Sequence, residues 1–306
     1  MRVLESRACQ QLQSLDCGDV DESTLNYLAK LATLKDLSVH LLNPLSAGIV
    51  FNEGFVHLQT LSLTVEDMST AIAFLSSTQL SLKAIKIRMP STRPQPRLLA
   101  SLEQLFSMLS TSHCHTRLTQ FHLVRQPTSL MVGDIFHEGT LDIAALRPLF
   151  SFTKMRCVDI DGLCSFDLND DSLAELANAW PHLEELTLNL SSGWQSTSEI
   201  TFKGLRSLIQ ACPLLKSLAL AIDATQLNPI SRATPEDDIH NDKIEVLDLE
   251  DSTIENPIAV ARILGKLFRS LKRVNVSPEE EELYELWDDV NSHLRKAQAK
   301  KQKIRL

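Results

Sequence analysis

One short pattern recurs ten times along this chain: an apolar residue, two free positions, a second apolar residue, one free position, a third. The copies are Leu12/Leu15/Cys17, Leu34/Leu37/Val39, Leu58/Leu61/Leu63, Leu82/Ile85/Ile87 and Leu118/Phe121/Leu123, then Met155/Val158/Ile160, Leu183/Leu186/Leu188, Leu215/Leu218/Leu220, Ile244/Leu247/Leu249 and Leu271/Val274/Val276. Their starts are spaced by about 29 residues on average, near the upper end of the range for short strand-and-helix repeats. Three residues before each copy stand Cys9, Leu31, Phe55, Gln79, His115, Phe152, Trp180, Cys212, Asn241 and Phe268, mostly apolar. An apolar residue there closes the preceding helix onto the core.

The segments between copies carry helical spacing. Leu98, Leu102, Leu105, Phe106 and Leu109 recur at three- and four-residue intervals, as do Leu173, Leu176, Ala177 and Trp180. Asp170 or Asp171 is placed to cap the second of these, and Asn256-Pro257 supplies a cap and first-turn proline for another. A strand of about three residues cannot bury its apolar side alone, so each unit must stack on the next. The expected fold is α/β: a solenoid (horseshoe) with a parallel concave sheet and convex helices. A doubly wound α/β domain would want longer strands and Gly-rich strand-to-helix turns. This chain has nine glycines and no GxGxxG.

The best-formed copies carry a resemblance. Ala211-Cys212-Pro213-Leu214-Leu215-Lys216-Ser217-Leu218-Ala219-Leu220 resembles the Cys-Pro-x-Leu-x-x-Leu-x-Leu signature of cysteine-containing leucine-rich repeats. Trp180-Pro181-His182-Leu183 through Leu188 is a close variant, and Ala8-Cys9 through Cys17 another without the proline. Such unevenly spaced repeats are similar to those of F-box leucine-rich-repeat proteins, particularly the divergent fungal ones. The resemblance implies a leucine-rich-repeat horseshoe that holds a substrate protein for an F-box-type ubiquitin ligase, the F-box docking on a Skp-type linker. The chain departs from that pattern in two ways. Its first repeat begins by residue 8, leaving no room for an F-box, and it lacks a regular Asn after the third aliphatic. A Skp-type linker is therefore expected as a partner only if an F-box lies upstream. The Met1 start inside a repeat reads as that of a fragment, a truncated gene model or a lone repeat domain.

Residues 278–306 differ from the repeats of 1–277 and are read as a capping helix with a basic tail. Ser277-Pro278-Glu279-Glu280 offers a capping box, and Leu283, Leu286, Trp287, Val290 and Leu294 share one helical face. Arg295, Lys296, Lys300, Lys301, Lys303 and Arg305 follow with no acid among them, suiting a helix C-terminus.

Composition narrows the function classes. The formal charge is −9, with 43% hydrophobic residues, so nucleic acid is not expected as a partner. No run approaches the ~20 apolar residues of a membrane helix, and Glu5 and Arg7 interrupt any signal sequence. Six scattered cysteines without a CxxC pair read as reduced, buried thiols of a cytoplasmic or nuclear protein; Cys157 and Cys164 are read as separate thiols rather than redox partners.

No phosphate loop, GxSxG elbow or HExxH helix occurs. His113-Cys114-His115 reads as a helix-to-strand corner rather than a metal site, and Glu236-Asp237-Asp238 as an exposed acidic loop. The chain is expected to be no enzyme, with no cofactor. Its function is expected to be protein interaction through the free residues flanking each middle aliphatic. These are Ser14/Asp16, Asp36/Ser38, Thr60/Ser62, Ala84/Lys86 and Gln120/His122 in the N-terminal half, then Cys157/Asp159, Glu185/Thr187, Ser217/Ala219, Val246/Asp248 and Arg273/Asn275. Gln120, His122, Asp159, Glu185, Thr187 and Asp248 are the candidate contacts, with Asp159, Glu185 and Asp248 making the C-terminal half acidic and suited to basic or hydrogen-bonding groups of a protein partner. Loops over Pro90–Pro96, Gln126–Gly139 and Ala224–Asp242 are further candidates. A free-standing regulator of another enzyme is the alternative role.

Overall fold

The computed structural model describes residues 11–304 apart from 42, 47–49, 52–53, 79, 91–96, 112–116, 126–138, 192, 228–238 and 278–280. Its internal contacts group the chain into two compact units. The first comprises residues 1–138 and 144–155; the second comprises 139–143 and 156–306.

The first unit carries five parallel strands in sequence order: β1 (Ser14–Asp19), β2 (Asp36–Leu41), β3 (Thr60–Val65), β4 (Ala84–Met89) and β5 (Gln120–Arg125). The helices α1 (Glu22–Ala29), α2 (Met68–Ser76) and α3 (Leu98–Thr111) lie between them in sequence, and the single-turn α4 (Ile143–Leu146) leads into a 3-10 turn over Arg147–Ser151. The repeat register is kept residue for residue: Leu37 pairs with Leu61, Leu61 with Ile85 and Ile85 with Phe121. These strands are six residues long, not the expected three. In β2, β3 and β4 the cause is a third inward-facing residue, Leu41, Val65 or Met89, two positions beyond the pattern and buried; β5 has the buried Arg125 at that position. One more apolar contact keeps the backbone extended.

The second unit holds β6 (Thr140–Asp142), β7 (Cys157–Asp161), β8 (Ser165–Asp167), β9 (Glu185–Leu188), β10 (Ser217–Ala219), β11 (Val246–Asp248) and β12 (Arg273–Asn275). β6 and β8 form a small parallel pair; the other five are parallel in the order β7-β9-β10-β11-β12. Val158 registers with Leu186, Leu186 with Leu218, and Leu247 with Val274. Most of these strands have three or four residues. Its helices are α5 (Asp170–Ala179), α6 (Phe202–Ala211), α7 (Pro257–Leu267) and α8 (Glu281–Ile304).

In three repeats of the second unit the residue three before the copy closes a helix, as expected, whereas Phe55 stands in a turn with no described helix before it. Trp180, Cys212 and Phe268 stand at the C-caps of α5, α6 and α7, all fully buried. Each accepts a backbone bond from the first aliphatic of its copy: Leu183 to Trp180, Leu215 to Cys212 and Leu271 to Phe268. Asn241 is the polar exception, and its side chain substitutes for that turn. Its Oδ1 accepts from the Lys243 and Ile244 amides at 2.8 and 2.9 Å, and its Nδ2 donates to the Leu215 carbonyl at 2.7 Å. A buried amide is tolerable only when so satisfied.

Two caps separate expectation from structure. Asn256 caps α7, accepting from Ala259 N at 3.0 Å with Pro257 in the first turn, as expected. α5 is capped by Asn169, not by Asp170 or Asp171. Asp170 instead reaches the next helix start, accepting from Thr201 N at 2.7 Å and Gly204 N at 2.9 Å. That contact leaves no room at Gly204: a Cβ there would lie 2.5 Å from the Asp170 carboxylate. On α8, Trp287, Val290 and Leu294 are buried while Leu283 and Leu286 are half-exposed. The Trp287 indole donates to the Ser252 carbonyl at 3.0 Å, and Asn291 exchanges bonds with the Val274 backbone. The capping box at 278–280 lies outside the described residues.

Candidate functional site

Alternation along each strand sends one set of side chains into the core and the other to an open face. In the first unit the open face carries two full rows. Ser14, Asp36, Thr60, Ala84 and Gln120 are in register, as are Asp16, Ser38, Ser62, Lys86 and His122. Beyond these, a third row runs Asp19, His40, Thr64, Arg88 and Val124. That row exists only because the strands are long, and it brings Arg88 onto the face beside Lys86. The three-residue reading of the strands could not place Arg88; the buried Met89 after it was the available signal.

In the second unit, Asp159, Thr187, Ala219, Asp248 and Asn275 share a row. Cys157, Glu185 and Ser217 share another, and Val246 pairs with Arg273. The six candidate contacts thus fall on the flanking positions where the spacing put them, Gln120 and His122 in the first unit and Asp159, Glu185, Thr187 and Asp248 in the second. Two of the wider flanking set are not open. Cys157 and Ala219 are buried. Asp248 accepts from Asn275 Nδ2 at 2.6 Å, fixing its carboxylate across the strands.

Several charges of the second unit are paired across strands. Glu184 accepts from the Arg156 guanidinium and from Lys216 Nζ at 2.9 Å, and Lys216 also approaches Glu185 at 3.4 Å. Hydrogen bonds from Lys216 and Arg156 hold the Glu184 carboxyl below its ordinary range, and the same contact raises Lys216. Lys272 pairs with Glu245 at 2.6 Å.

Beyond the third aliphatic of each copy, this unit turns its chain inward. Asp161, Asn189 and Glu250 occupy that position and are all buried, Asn189 and Glu250 with positive φ. Asn189 accepts from Gly162 N at 3.0 Å and donates to the Cys164 carbonyl. Asp161 accepts from the Ser191 amide at 2.8 Å and from its hydroxyl, yet burial still raises its pKa. Glu250 is pushed up to about 7, first by burial and then by the charges of Asp248, Asp251 and Asp161. Asp251 is engaged elsewhere, accepting from the amides of Trp194 and Gln195.

The buried thiols among the described residues offer no nucleophile. Cys17, Cys157, Cys164 and Cys212 are free, the last three buried. Burial raises each of these three to about 12, the charge of Glu185 assisting at Cys157, so none is a thiolate near neutral pH. Among the described residues, no group of three His, Cys, Asp or Glu side chains could hold a metal ion, and no helix is long and apolar enough to cross a membrane. His113-Cys114-His115 and Glu236-Asp237-Asp238 lie outside the described residues, as do most of the three candidate loops.

No protein-family model matches this chain, and no curated protein does either. Among solved structures, a chain from the crystal structure of the Rad7 and Elc1 complex in yeast is similar at 12% identity, over 82% of this chain and 78% of that one, with a TM-score of 0.29. At that TM-score the fold rests on the strands and registers above.

Proposed function

We propose that this chain is a non-catalytic protein-recognition module. The row Asp159, Thr187, Ala219, Asp248 and Asn275, with Glu185 beside it, carries the reading. It offers carboxylates and short polar side chains at fixed strand spacing, a surface for basic and hydrogen-bonding groups of a partner protein. Gln120 and His122 contribute the corresponding positions of the first unit. Paired or buried carboxylates without a nucleophile in reach favour binding over chemistry.

The finer reading is a leucine-rich-repeat domain serving as the substrate-recognition part of an F-box-type ubiquitin ligase adaptor in the cytoplasm or nucleus. The cysteine-containing repeat around Cys212 supports it: the buried thiol closes α6 and donates to the carbonyls of Ala177 and Trp180 in the preceding repeat, at 3.6 and 3.4 Å. Affinity purification with mass spectrometry, using the chain extended upstream, tests both levels. A captured Skp-type linker supports the adaptor; a partner retained without any linker points to a free-standing regulator. Asp159→Lys with Glu185→Lys is expected to slow association with the captured partner and flatten its salt dependence. Unchanged binding by that double variant would refute the acidic row as the docking surface.

A further inference from the structure

The open face of the first unit has the opposite polarity where β3 meets β4. Strand β3 shows three hydroxyls there, Thr60, Ser62 and Thr64, and β4 shows Lys86 and Arg88. Lys86 registers with Ser62, and Arg88 with Thr64. Arg88 donates to Ser62 Oγ at 3.3 Å, which steadies its guanidinium over the neighbouring strand. Neither cation has an acidic partner among the described residues, and both are only half-exposed. The acids on the strands of this face lie on β1 and β2, and Glu66 follows the end of β3. Asp19 is set against His40 at 3.6 Å. Asp36 is two strands from β4, roughly 10 Å at ordinary strand spacing and about one Debye length in physiological salt. Strands β3 and β4 themselves thus carry two cations and no acid on this face, although the chain carries −9 overall.

We propose that this trough binds an extended, carboxylate-rich segment of a partner protein. Lys86 and Arg88 are two residues apart on one strand, so their Cα atoms are separated by roughly 6.6 Å, the same repeat as alternate side chains of an extended peptide. A segment with Glu or Asp at alternate positions places one carboxylate on the Lys86 ammonium and the next on the Arg88 fork, a planar donor that matches a carboxylate. The short hydroxyls of β3 leave room for the peptide beside them and offer it hydrogen bonds. The inference rests on the recognition role proposed above, but uses other residues and the opposite charge, so the two can fail separately.

Fluorescence anisotropy with a labelled peptide of alternating Glu and Thr tests it, with the alternating Lys and Thr peptide and the alternating phosphoserine and Thr peptide as comparisons. The Glu peptide is expected to bind, with affinity falling as salt rises. Lys86→Ala with Arg88→Ala is expected to weaken it roughly five- to tenfold, given the modest strength of half-exposed ion pairs; Lys86→Glu with Arg88→Glu should abolish it. Asp159→Lys with Glu185→Lys should leave it unchanged. Circular dichroism confirms that each variant is folded. The proposal is overturned if the Glu peptide does not bind, if it binds the Lys86/Arg88 double variants as well as the parent, or if only the phosphoserine peptide binds. None of these results touches the acidic row of the second unit.

Discussion

The two units apply one repeat rule and treat one position differently. In the first unit the residue after the third aliphatic stays in the strand and faces outward: His40, Thr64, Arg88 and Val124. In the second it turns inward: Asp161, Asn189, Ala221 and Glu250 are all buried. In β2, β3 and β4 the next residue favours the longer strand. Leu41, Val65 and Met89 are large and apolar, and burying them keeps the backbone extended. Gly162, Leu190, Ile222 and Asp251 stand at the same place in the second unit; Leu190 is 40% exposed, and Ile222 is buried but outside its three-residue strand, its amide donating to Ser252 Oγ at 2.7 Å. At Asp161, Asn189 and Glu250 no buried apolar side chain follows, the strand stops, and the polar residue closes the turn beneath it. The first unit thus displays Arg88 at a position that the second unit turns inward.

The comparison breaks first at the core. If the two strand lengths rest on equivalent packing, Leu61→Ala in the first unit and Leu186→Ala in the second should each cost about 2–5 kcal/mol, the usual range for a buried leucine. Both side chains are fully buried at matching repeat positions. Urea unfolding followed by circular dichroism measures the loss. A cost below 1 kcal/mol at either site would mean that unit is not held by its strand register.

The buried turn residues should make the second unit sensitive to pH in a way the first is not. Glu250 has its folded pKa raised from 4.5 to about 7, so the folded state holds its proton more tightly than the unfolded chain. Stability therefore falls as pH rises from 4.5 through 7, and the penalty is complete above that. With solvent screening it amounts to about 1–3 kcal/mol, and the raised Asp161 adds in the same direction. Glu250→Gln should stabilise the protein at pH 8 and not at pH 4, read from urea midpoints. In the first unit Asp21 is shifted the other way, held low by hydrogen bonds from Thr24 and Ser23. Its contribution is present above its ordinary pKa of 3.8 and is lost as pH falls through its lower folded value.

Much of this was legible in the sequence. The repeat spacing set the strand registers, because Leu37, Leu61 and Ile85 must share a buried line for any one of them to leave water. It also placed the flanking residues on two rows. It did not set strand length, because the pattern ends at the third aliphatic and the deciding residue lies two beyond. Arg88 was missed for that reason. The buried state of Glu250 and Asp161 was missed because a polar residue after a strand reads as exposed unless the turn itself is known. Asn189 shows what such a turn demands: an αL residue whose amide satisfies backbone on both sides. The cap of α5 went to Asn169 because Asp170 serves α6 instead, a contact between repeats that no local pattern encodes.

Helix caps should not distinguish the units, which makes them a control. Asp67 accepts from Ser69 N at 2.7 Å at the start of α2, and Asn256 accepts from Ala259 N at 3.0 Å at the start of α7. Asp67→Ala and Asn256→Ala should each cost about 1 kcal/mol, seen as similar shifts in urea midpoint. A large difference between them would show that the units differ in how firmly helices are docked, not only in strand length.

The smallest effect concerns the surface charges and sharpens the contrast most directly. Glu184 gathers Arg156 and Lys216, whereas Lys86 and Arg88 have no acid to meet among the described residues. Exposed pairs contribute little, because water screens them and two long side chains must be ordered to form them. Glu184→Gln should therefore barely move the thermal midpoint, and less so in high salt. Lys86→Gln should not lower it at all, since nothing is left unpaired when the ammonium goes. If Lys86→Gln destabilised the protein as much as Glu184→Gln, Lys86 would be holding the sheet together. Its positive charge would then be part of the fold rather than a surface kept for a partner.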